Sequence, residues 1–345
     1  MDHTSYYALV VRETDKGFTR QVEQCAIADL PPGDVLIQVR YSSLNYKDAL
    51  SASGNRGVTR RYPHTPGVDA VGKVVESNDP AIQPGDSVIV SGYDLGMNTA
   101  GGFGQYIRVP ADWVVPQPET LDAFSTMALG TAGFTAALCL HKLEAAGLRP
   151  ELGEVLVTGA TGGVGSLAVV LLASLGYHVV AATGKPDQAP MLHRLGAAEI
   201  IHRGTLEESP EKALLKQRWA AVIDTVGGPI LAGAIRYTKA NGWVAACGNV
   251  ASPNLALTVY PFILRGVSLL GVDAANCTLQ IRRELIERLA GPWRLTLPDD
   301  LITATGLVGL SEEIDRTLQG QQVGRVVVDL WPESSSPEQR GVHRD

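Results

Sequence analysis

The chain has 345 residues, of which 45% are hydrophobic and 19% charged, and carries a net charge of −7 at pH 7. That length holds two domains of ordinary size, and the composition is that of a well-cored globular protein. The acidic balance argues against a nucleic-acid footprint or an anionic membrane surface, so no nucleic-acid or membrane partner is expected.

No stretch approaches the roughly 20 uninterrupted apolar residues of a membrane span. The opening Met-Asp-His-Thr-Ser lacks the basic and apolar segments of a secretory signal. Cys25, Cys139, Cys247 and Cys277 are scattered without C-x-x-C spacing. They read as reduced, buried small residues of a cytoplasmic protein, and no metal site is expected from them.

The first 127 residues are rich in short β-type runs split by Pro and Gly, at 35–41, 68–75, 87–91 and 106–109. This spacing predicts a compact, mostly β domain with long loops. From about Leu129 the rhythm becomes alternating strands and helices. Strands are predicted at 154–157, 178–182, 199–201, 220–224, 242–247 and 267–272, and helices from near Ser166, Ala189, Glu211, Pro229 and Tyr260. Six strands with crossovers is the count of a complete dinucleotide-binding sheet, so the fold class is α/β with a Rossmann-type doubly wound parallel sheet. An amphipathic helix is predicted at 277–289 and a final strand at 324–330. The polar tail 332–345, with its Ser-Ser-Ser-Pro, reads as disordered. The predicted organisation is a discontinuous β-rich domain, 1–127 and 275–331, around a nucleotide domain, 128–274, with the ligand cleft between them.

Residues 155–166 read Val-Leu-Val-Thr-Gly-Ala-Thr-Gly-Gly-Val-Gly-Ser. An apolar strand breaks into glycines at Gly159, Gly162 and Gly165 and opens onto an apolar helix, which puts backbone N–H groups around an anionic pyrophosphate. The strict G-x-G-x-x-G is absent, but a second strand follows the helix and completes the βαβ unit that gives the motif its meaning. Thr161, Gly162, Gly163 and Val164 are the cradle candidates. The second strand ends in Ala182-Thr183-Gly184-Lys185, with no carboxylate before Asp187. A hydroxyl and an ammonium suit a 2′-phosphate, and one such charge-assisted bond is worth roughly 1.5–3 kcal/mol. Arg203, after the third strand, can cover the adenine and add a second cation. Thr183, Gly184, Lys185 and Arg203 therefore point to NADP(H), with NADPH as the expected cofactor.

Several segments carry a family resemblance. They are the Ser43-Leu44-Asn45-Tyr46-Lys47-Asp48 run, the Pro66-Gly67-Val68-Asp69 and Pro84-Gly85-Asp86-Ser87-Val88 turns, and Gly130-Thr131-Ala132-Gly133. The glycine loop, Asp224-Thr225-Val226-Gly227-Gly228, Pro261-Phe262-Ile263-Leu264-Arg265-Gly266 and Gly324-Arg325-Val326-Val327 continue them in one collinear order. Over about residues 6–330 the chain resembles the medium-chain dehydrogenase/reductase superfamily. Within it, the chain is similar to the zinc-free YhdH/YhfP quinone-oxidoreductase-like group, which includes acrylyl-CoA reductases of the AcuI type. The resemblance implies a GroES-like catalytic domain, a Rossmann domain, NADPH as hydride donor, and a homodimer joined through the last Rossmann strands. Zinc-dependent relatives place a Cys near Asn45 and a G-H-E at Gly67-Val68-Asp69, and neither ligand is present here, so Lewis-acid alcohol oxidation is disfavoured.

What remains is hydride delivery to a polarised acceptor. Such a reaction builds negative charge on a carbonyl oxygen and leaves an α-carbon that needs a proton. Tyr46 is the leading catalytic candidate, as a contact to the nicotinamide or acceptor or as a proton donor, with water an alternative source. Asn45 is placed to donate to a carbonyl or cofactor amide, and Asp48 to orient the tyrosine. Tyr62 is a second candidate whose Tyr-Pro context favours packing. The backbone of 130–135, with Thr131 and Thr135, is expected to open the helix bridging the two domains close to the cofactor. Cys247 and Gly248, at the end of the fifth strand, read as a nicotinamide-side wall. Phe262 and Ile263 are expected to cover the nicotinamide, and Arg325 to face the cofactor or cleft rim. The basic segment 54–61 is placed to meet the phosphates of a CoA thioester or to be solvated. The leading function is NADPH-dependent reduction of an activated C=C bond in a short enoyl-CoA such as acrylyl-CoA. A quinone oxidoreductase and a non-catalytic NADPH-binding protein are the alternatives.

Overall fold

A computed structural model describes residues 4–208 and 211–332. Of the tail predicted from 332 onward, residues 333–345 lie outside the described residues.

The chain opens with the β1 (Ser5–Thr14) and β2 (Gly17–Ala26) hairpin, ten antiparallel pairs closed at Thr14 and Gly17. Then come β3 (Val35–Leu44), α1 (Tyr46–Ala52), β4 (Asp69–Ser77), β5 (Ser87–Ser91), β6 (Tyr106–Val109) and β7 (Val114–Pro116). Helix α2 (Ala123–Ala145) follows, broken at Gly130, where φ is 47° and ψ −153°. Only glycine adopts that backbone cheaply, so Thr131 starts a fresh helical run, as the bridging helix was expected to do. By length and composition α2 could span a membrane, but 72% of its most apolar window is buried inside the fold.

The alternating region contains β8 (Val155–Thr158), α3 (Gly163–Ser174), β9 (Val179–Thr183), α4 (Ala189–Arg194), β10 (Glu199–His202), β11 (Trp219–Asp224), α5 (Gly228–Tyr237), β12 (Thr238–Ala246), α6 (Tyr260–Arg265) and β13 (Ser268–Gly271). These six strands form one sheet in the order β10-β9-β8-β11-β12-β13 with every pair parallel, the doubly wound dinucleotide arrangement. All six predicted strands are present. The helix predicted from near Glu211 is not. A 3₁₀ turn at Arg203–Glu207 and an extended segment make that crossover instead. Two arginines replace the hydrogen bonds a helix would have made for itself: Arg236 donates to the carbonyls of Glu208 and Lys212, and Arg265 to that of Leu215. The Leu215 and Arg218 amides donate to the end of α5.

Helix α7 (Leu279–Ala290), β14 (Ile302–Gly306), α8 (Leu310–Leu318) and β15 (Arg325–Asp329) complete the fold. The last two strands return to the first sheet, whose order is β14-β15-β3-β4-β5-β7 with β6 added to β3. One apolar core joins α2, α3, α7 and the parallel sheet, and a second fills the β-rich sheet. Strand β15 thereby carries Arg325 to the seam between the two sheets, beside β3 and the α2 break.

Candidate active site

Asp69, the first residue of β4, is fully buried and accepts five hydrogen bonds. Oδ2 receives the Ser43 hydroxyl at 2.6 Å, the Asn45 side-chain amide at 2.8 Å and the Thr131 backbone N–H at 2.9 Å. Oδ1 receives the Ser91 and Thr131 hydroxyls at 2.6 and 2.7 Å. Donors from β3, β5 and α2 thus converge on one carboxylate, and the glycine at 130 makes the approach possible. A Cβ there would lie 2.6 Å from Ser43 Oγ and 2.8 Å from Asp69 Oδ2.

Arg325 closes the cluster from the other side. It is buried and donates to the carbonyls of Ala128 (2.9 Å) and Leu44 (3.2 Å), to Asn45 Oδ1 (3.3 Å) and to Ser43 Oγ (3.0 Å). Burial pulls its pKa down while Asp69 and Asp48 support its charge. Asp48, also fully buried, accepts the Asn45 backbone N–H (2.8 Å) and the Val68 N–H (2.8 Å), which makes it half of a capping box for α1. Desolvation and then repulsion by Asp69 raise its pKa to about 7, against those hydrogen bonds.

Two of the expected roles change here. The Asn45 amide was expected to face an acceptor or cofactor, yet its best bond goes inward to Asp69 because that carboxylate is the stronger acceptor. Asp48 was expected to hold the tyrosine, but its oxygens are taken by Asn45 and Val68, so it orders the helix start rather than the Tyr46 hydroxyl. Tyr46 is partly buried at that helix start, and its hydroxyl has no partner among the described residues. Tyr62 is packing: its hydroxyl donates to the Ser51 carbonyl at 2.7 Å and its ring lies 4.7 Å from Phe18.

The glycine cradle meets this cluster at Arg325. Gly159 has φ 60°, and a Cβ on Gly165 would sit 2.2 Å from the Gly159 carbonyl, so the turn tolerates no side chain. A Cβ on Gly163 would come within 2.9 Å of Arg325 Nη1, and the Gly324 N–H donates to the Thr161 carbonyl at 3.0 Å. The start of α3, with Gly162, Gly163 and Val164, therefore presents bare backbone beside a buried guanidinium, which fits a pyrophosphate. At the end of β9, Thr161 and Thr183 hydroxyls lie 3.5 Å apart, and the Lys185 N–H donates to Thr183 Oγ1 at 3.0 Å. Lys185 Nζ donates to the Gln322 carbonyl at 2.7 Å, keeping two further N–H donors, and burial lowers its pKa. The Arg203 guanidinium lies over Gly184, where a Cβ would stand 2.8 Å from Nε. Gly184, Lys185 and Arg203 form one exposed-to-half-buried cationic corner at the end of β9.

At the end of the sheet's middle strands, Thr158 and the Gly227 N–H donate to buried Asp224 at 2.7 and 2.8 Å. The Cys247 thiol donates to the Asp224 carbonyl at 3.3 Å, and Gly248 packs so closely on Thr225 that a Cβ would lie 2.1 Å from its carbonyl. Thr135 donates back to the Thr131 carbonyl at 2.7 Å. The α6 candidates are not drawn into the cluster: Phe262 packs against the core under β11 and β12, and Ile263 is 68% exposed. Arg56 is engaged by Glu13, the Arg60 carbonyl and the Phe18 and Tyr62 rings, whereas Arg60 and Arg61 are exposed. Sequence reasoning missed Asp69, Ser43 and Ser91 as site residues, although the Pro66-Gly67-Val68-Asp69 turn marked where the first of them stands.

The chain matches the family models described as "Alcohol dehydrogenase GroES-like domain" over residues 31–119 and "Zinc-binding dehydrogenase" over residues 163–291. The residues do not fit a zinc ion: Asn45 offers an amide, Val68 no ligand, and Asp69 is saturated by five donors. No group of three or more His, Cys, Asp or Glu among the described residues is placed to hold a metal. Among curated proteins it is 44% identical to "Putative quinone oxidoreductase YhfP" of Bacillus subtilis over 95% of this chain and 99% of that one. It is also 44% identical to "Acrylyl-CoA reductase AcuI" of Ruegeria pomeroyi, over 94% and 99%. The structure of the yhdH oxidoreductase from Salmonella enterica in complex with NADP superposes with a TM-score of 0.89 at 41% identity, covering 94% and 99%. That of the Bacillus YhfP with NAD bound does so at 0.90 and 42%, with the same coverage.

Proposed function

The chain belongs to the YhdH/YhfP/AcuI group of medium-chain dehydrogenase/reductases, and we propose that it uses NADPH to reduce the activated double bond of a short enoyl-CoA, acrylyl-CoA being the expected acceptor. The observation that carries this reading is the meeting, at Arg325, of a bare-backbone pyrophosphate cradle with a buried acid cluster built around Asp69. We infer two domains, 1–127 with 275–331 and 128–274, with the cleft at that seam.

Thr161, Gly162, Gly163 and Val164 would hold the pyrophosphate, and Thr183, Gly184, Lys185 and Arg203 the 2′-phosphate. When bound there, NADPH would supply a hydride to the β-carbon of the acceptor. Charge then grows on the thioester oxygen, and a proton must reach the α-carbon. Tyr46, whose hydroxyl has no partner among the described residues, is the residue proposed to meet one of those needs. Asn45 and Asp48 hold the helix start that carries it, and Asp69 fixes Asn45 and Thr131 around the same seam. Thr135, Cys247, Gly248 and Phe262 belong to the supporting walls, and Ile263 to the subunit edge.

We propose a cytoplasmic homodimer that pairs through the free edge of β13. Val259, Tyr260, Ile263 and Leu264 are 47–68% exposed on or beside α6, and Leu269 is 38% exposed on that edge strand.

The test is loss of nicotinamide absorbance with acrylyl-CoA and, in parallel, a simple quinone, using NADPH and then NADH. Turnover of the thioester with NADPH supports the proposal, and turnover of the quinone alone replaces it with the quinone-reductase reading. Exposed Arg60 and Arg61 are the proposed contacts for CoA phosphates. Changing both to Ala should raise KM for acrylyl-CoA about tenfold while leaving KM for the quinone within about twofold; equal shifts would remove these two arginines from the acceptor site.

A further inference from the structure

Arg282, on α7, is 1% exposed yet faces no carboxylate among the described residues. Its guanidinium lies between two aromatic faces, 4.7 Å from the Tyr93 ring centre and 4.6 Å from that of Phe134. Nη2 donates to the carbonyls of Ala274 (2.9 Å) and Ala275 (3.2 Å), where the chain leaves the parallel sheet after β13. Its Nε is buried and has no hydrogen-bond partner among the described residues. With Ser91, Gly130 and Phe134 it lines one narrow cavity of about 30 Å³. Desolvating a cation without a counter-charge is costly unless the site is otherwise built for it.

The neighbours show what it is built for. The Ala275 carbonyl that Arg282 holds also accepts the Tyr93 N–H at 2.9 Å. Tyr93 has φ 53°, a left-handed backbone that is strained for a non-glycine residue, and its ring stacks on Trp113 at 5.4 Å and 6°. It lies two residues after Ser91, and Phe134 lies one helical turn after Thr131. Ser91 and Thr131 supply three of the five hydrogen bonds to Asp69. Asp273 caps the same crossing through the Ala275 and Asn276 amides.

We propose that Arg282 is a positioning residue for the reaction. It clamps the chain crossing at 274–275 against the two elements that carry Ser91 and Thr131, and so fixes the Asp69 cluster relative to the cofactor sheet. The inference rests on the reductase reading for its kinetic assay but not on the identity of the acceptor. Lys cannot reproduce it, because a point-charge ammonium lacks the planar fork that faces two rings and reaches two carbonyls.

The experiment compares Arg282→Lys, Arg282→Met, Tyr93→Leu and Tyr93→Phe with wild type. Turnover is measured on whichever of acrylyl-CoA and quinone the wild type reduces faster, and amide hydrogen exchange on all of them. In Arg282→Lys and Tyr93→Leu, kcat should fall on the order of tenfold with KM for NADPH within about twofold, and Tyr93→Phe should stay near wild type. Peptides covering 91–93 and 128–134 should exchange faster, and those covering 155–165 should not. Wild-type kcat and unchanged exchange in Arg282→Lys would overturn the proposal. So would a parallel loss of kcat, NADPH affinity and exchange protection throughout the chain, which is the signature of a purely structural residue. If both Arg282 variants fail to fold, Tyr93→Leu decides: folded and unchanged in exchange at 128–134, it overturns the clamp. Hydrogen exchange needs no acceptor, so an inactive wild type would count against the proposed acceptor while leaving this test intact.

Discussion

The proposed cofactor cradle and the Asp69 cluster lie on either side of Arg325 and are made of different materials. The cradle is backbone: the first amides of α3, from Gly163 onward, lack intrahelical partners, whereas the Gly162 N–H donates to the Gly159 carbonyl, and the cations proposed to complete it, Lys185 and Arg203, are half-buried or exposed. The cluster is side chain, with two buried carboxylates, three hydroxyls, an amide and one guanidinium satisfying one another away from water. A bare-backbone site takes its ligand by approach and is tuned by sterics. A buried polar network is high-stakes, because removing one member leaves the others unsatisfied. The two regions should therefore break differently.

Arg325→Met should hurt both, since that side chain joins them. It leaves Asp69 and Asp48 without their cation and should cost about 3–5 kcal/mol in chemical denaturation, with a clear loss of NADPH affinity in a fluorescence titration. A loss confined to one region would show that the two are not coupled through this residue. Gly165→Ala should damage the cradle: the added Cβ meets the Gly159 carbonyl at 2.2 Å, an overpacking that costs about 1–3 kcal/mol. NADPH should bind at least about tenfold more weakly while the Thr131 N–H, bonded to Asp69, stays protected from exchange. Lys185→Ala with Arg203→Ala should leave stability nearly unchanged and lower the preference for NADPH over NADH by roughly tenfold or more. An unchanged preference would place the 2′-phosphate elsewhere.

The smallest effect sharpens the comparison through pH. Burial pushes the Asp48 pKa up to about 7 in the fold, from the ordinary 3.8. Its raised value means that the native state binds this proton more tightly than the unfolded chain does. The associated stability is present below about pH 4 and is lost as pH rises through about 7. Asp48→Asn cannot ionise, although its NH2 must face one of the two N–H donors. Its stability deficit against wild type, read as a difference in thermal midpoint, should therefore shrink between pH 5 and pH 8. A deficit that grows over that range would mean that the buried carboxylate is favoured in its charged form.

The same contrast explains what could be read in the sequence. The cradle was legible because its parts are contiguous: strand, glycines, helix and the Thr183-Gly184-Lys185 end of the next strand all fall within about thirty residues. The six strands of the parallel sheet followed from the same alternation. The cluster is drawn from β3, α1, β4, β5, α2 and β15, and Arg325 and Asn45 are 280 positions apart. Only its members inside recognisable runs, Asn45, Asp48, Thr131 and Arg325, were found. Asp69, the centre, had no local pattern to distinguish it from a turn residue, and its pull on the Asn45 amide reversed the direction assigned to that donor. The helix expected near Glu211 failed for a related reason: Arg236 and Arg265 reach in from other elements and satisfy the Lys212 and Leu215 carbonyls that periodicity had assigned to a helix. The β1–β2 hairpin and α8 also went unread; the polar β2 shows no buried face to betray it.

The central claim is that this seam delivers a hydride to the β-carbon of an enoyl thioester. The direct measurement is a single reaction of acrylyl-CoA with each of the two NADPH isomers deuterated at the nicotinamide C4, followed by mass analysis of the product. The account predicts propionyl-CoA carrying one deuterium at C3 from one isomer and none from the other. Propionyl-CoA without label from either isomer, or no reaction with the thioester while a quinone is reduced, would contradict it.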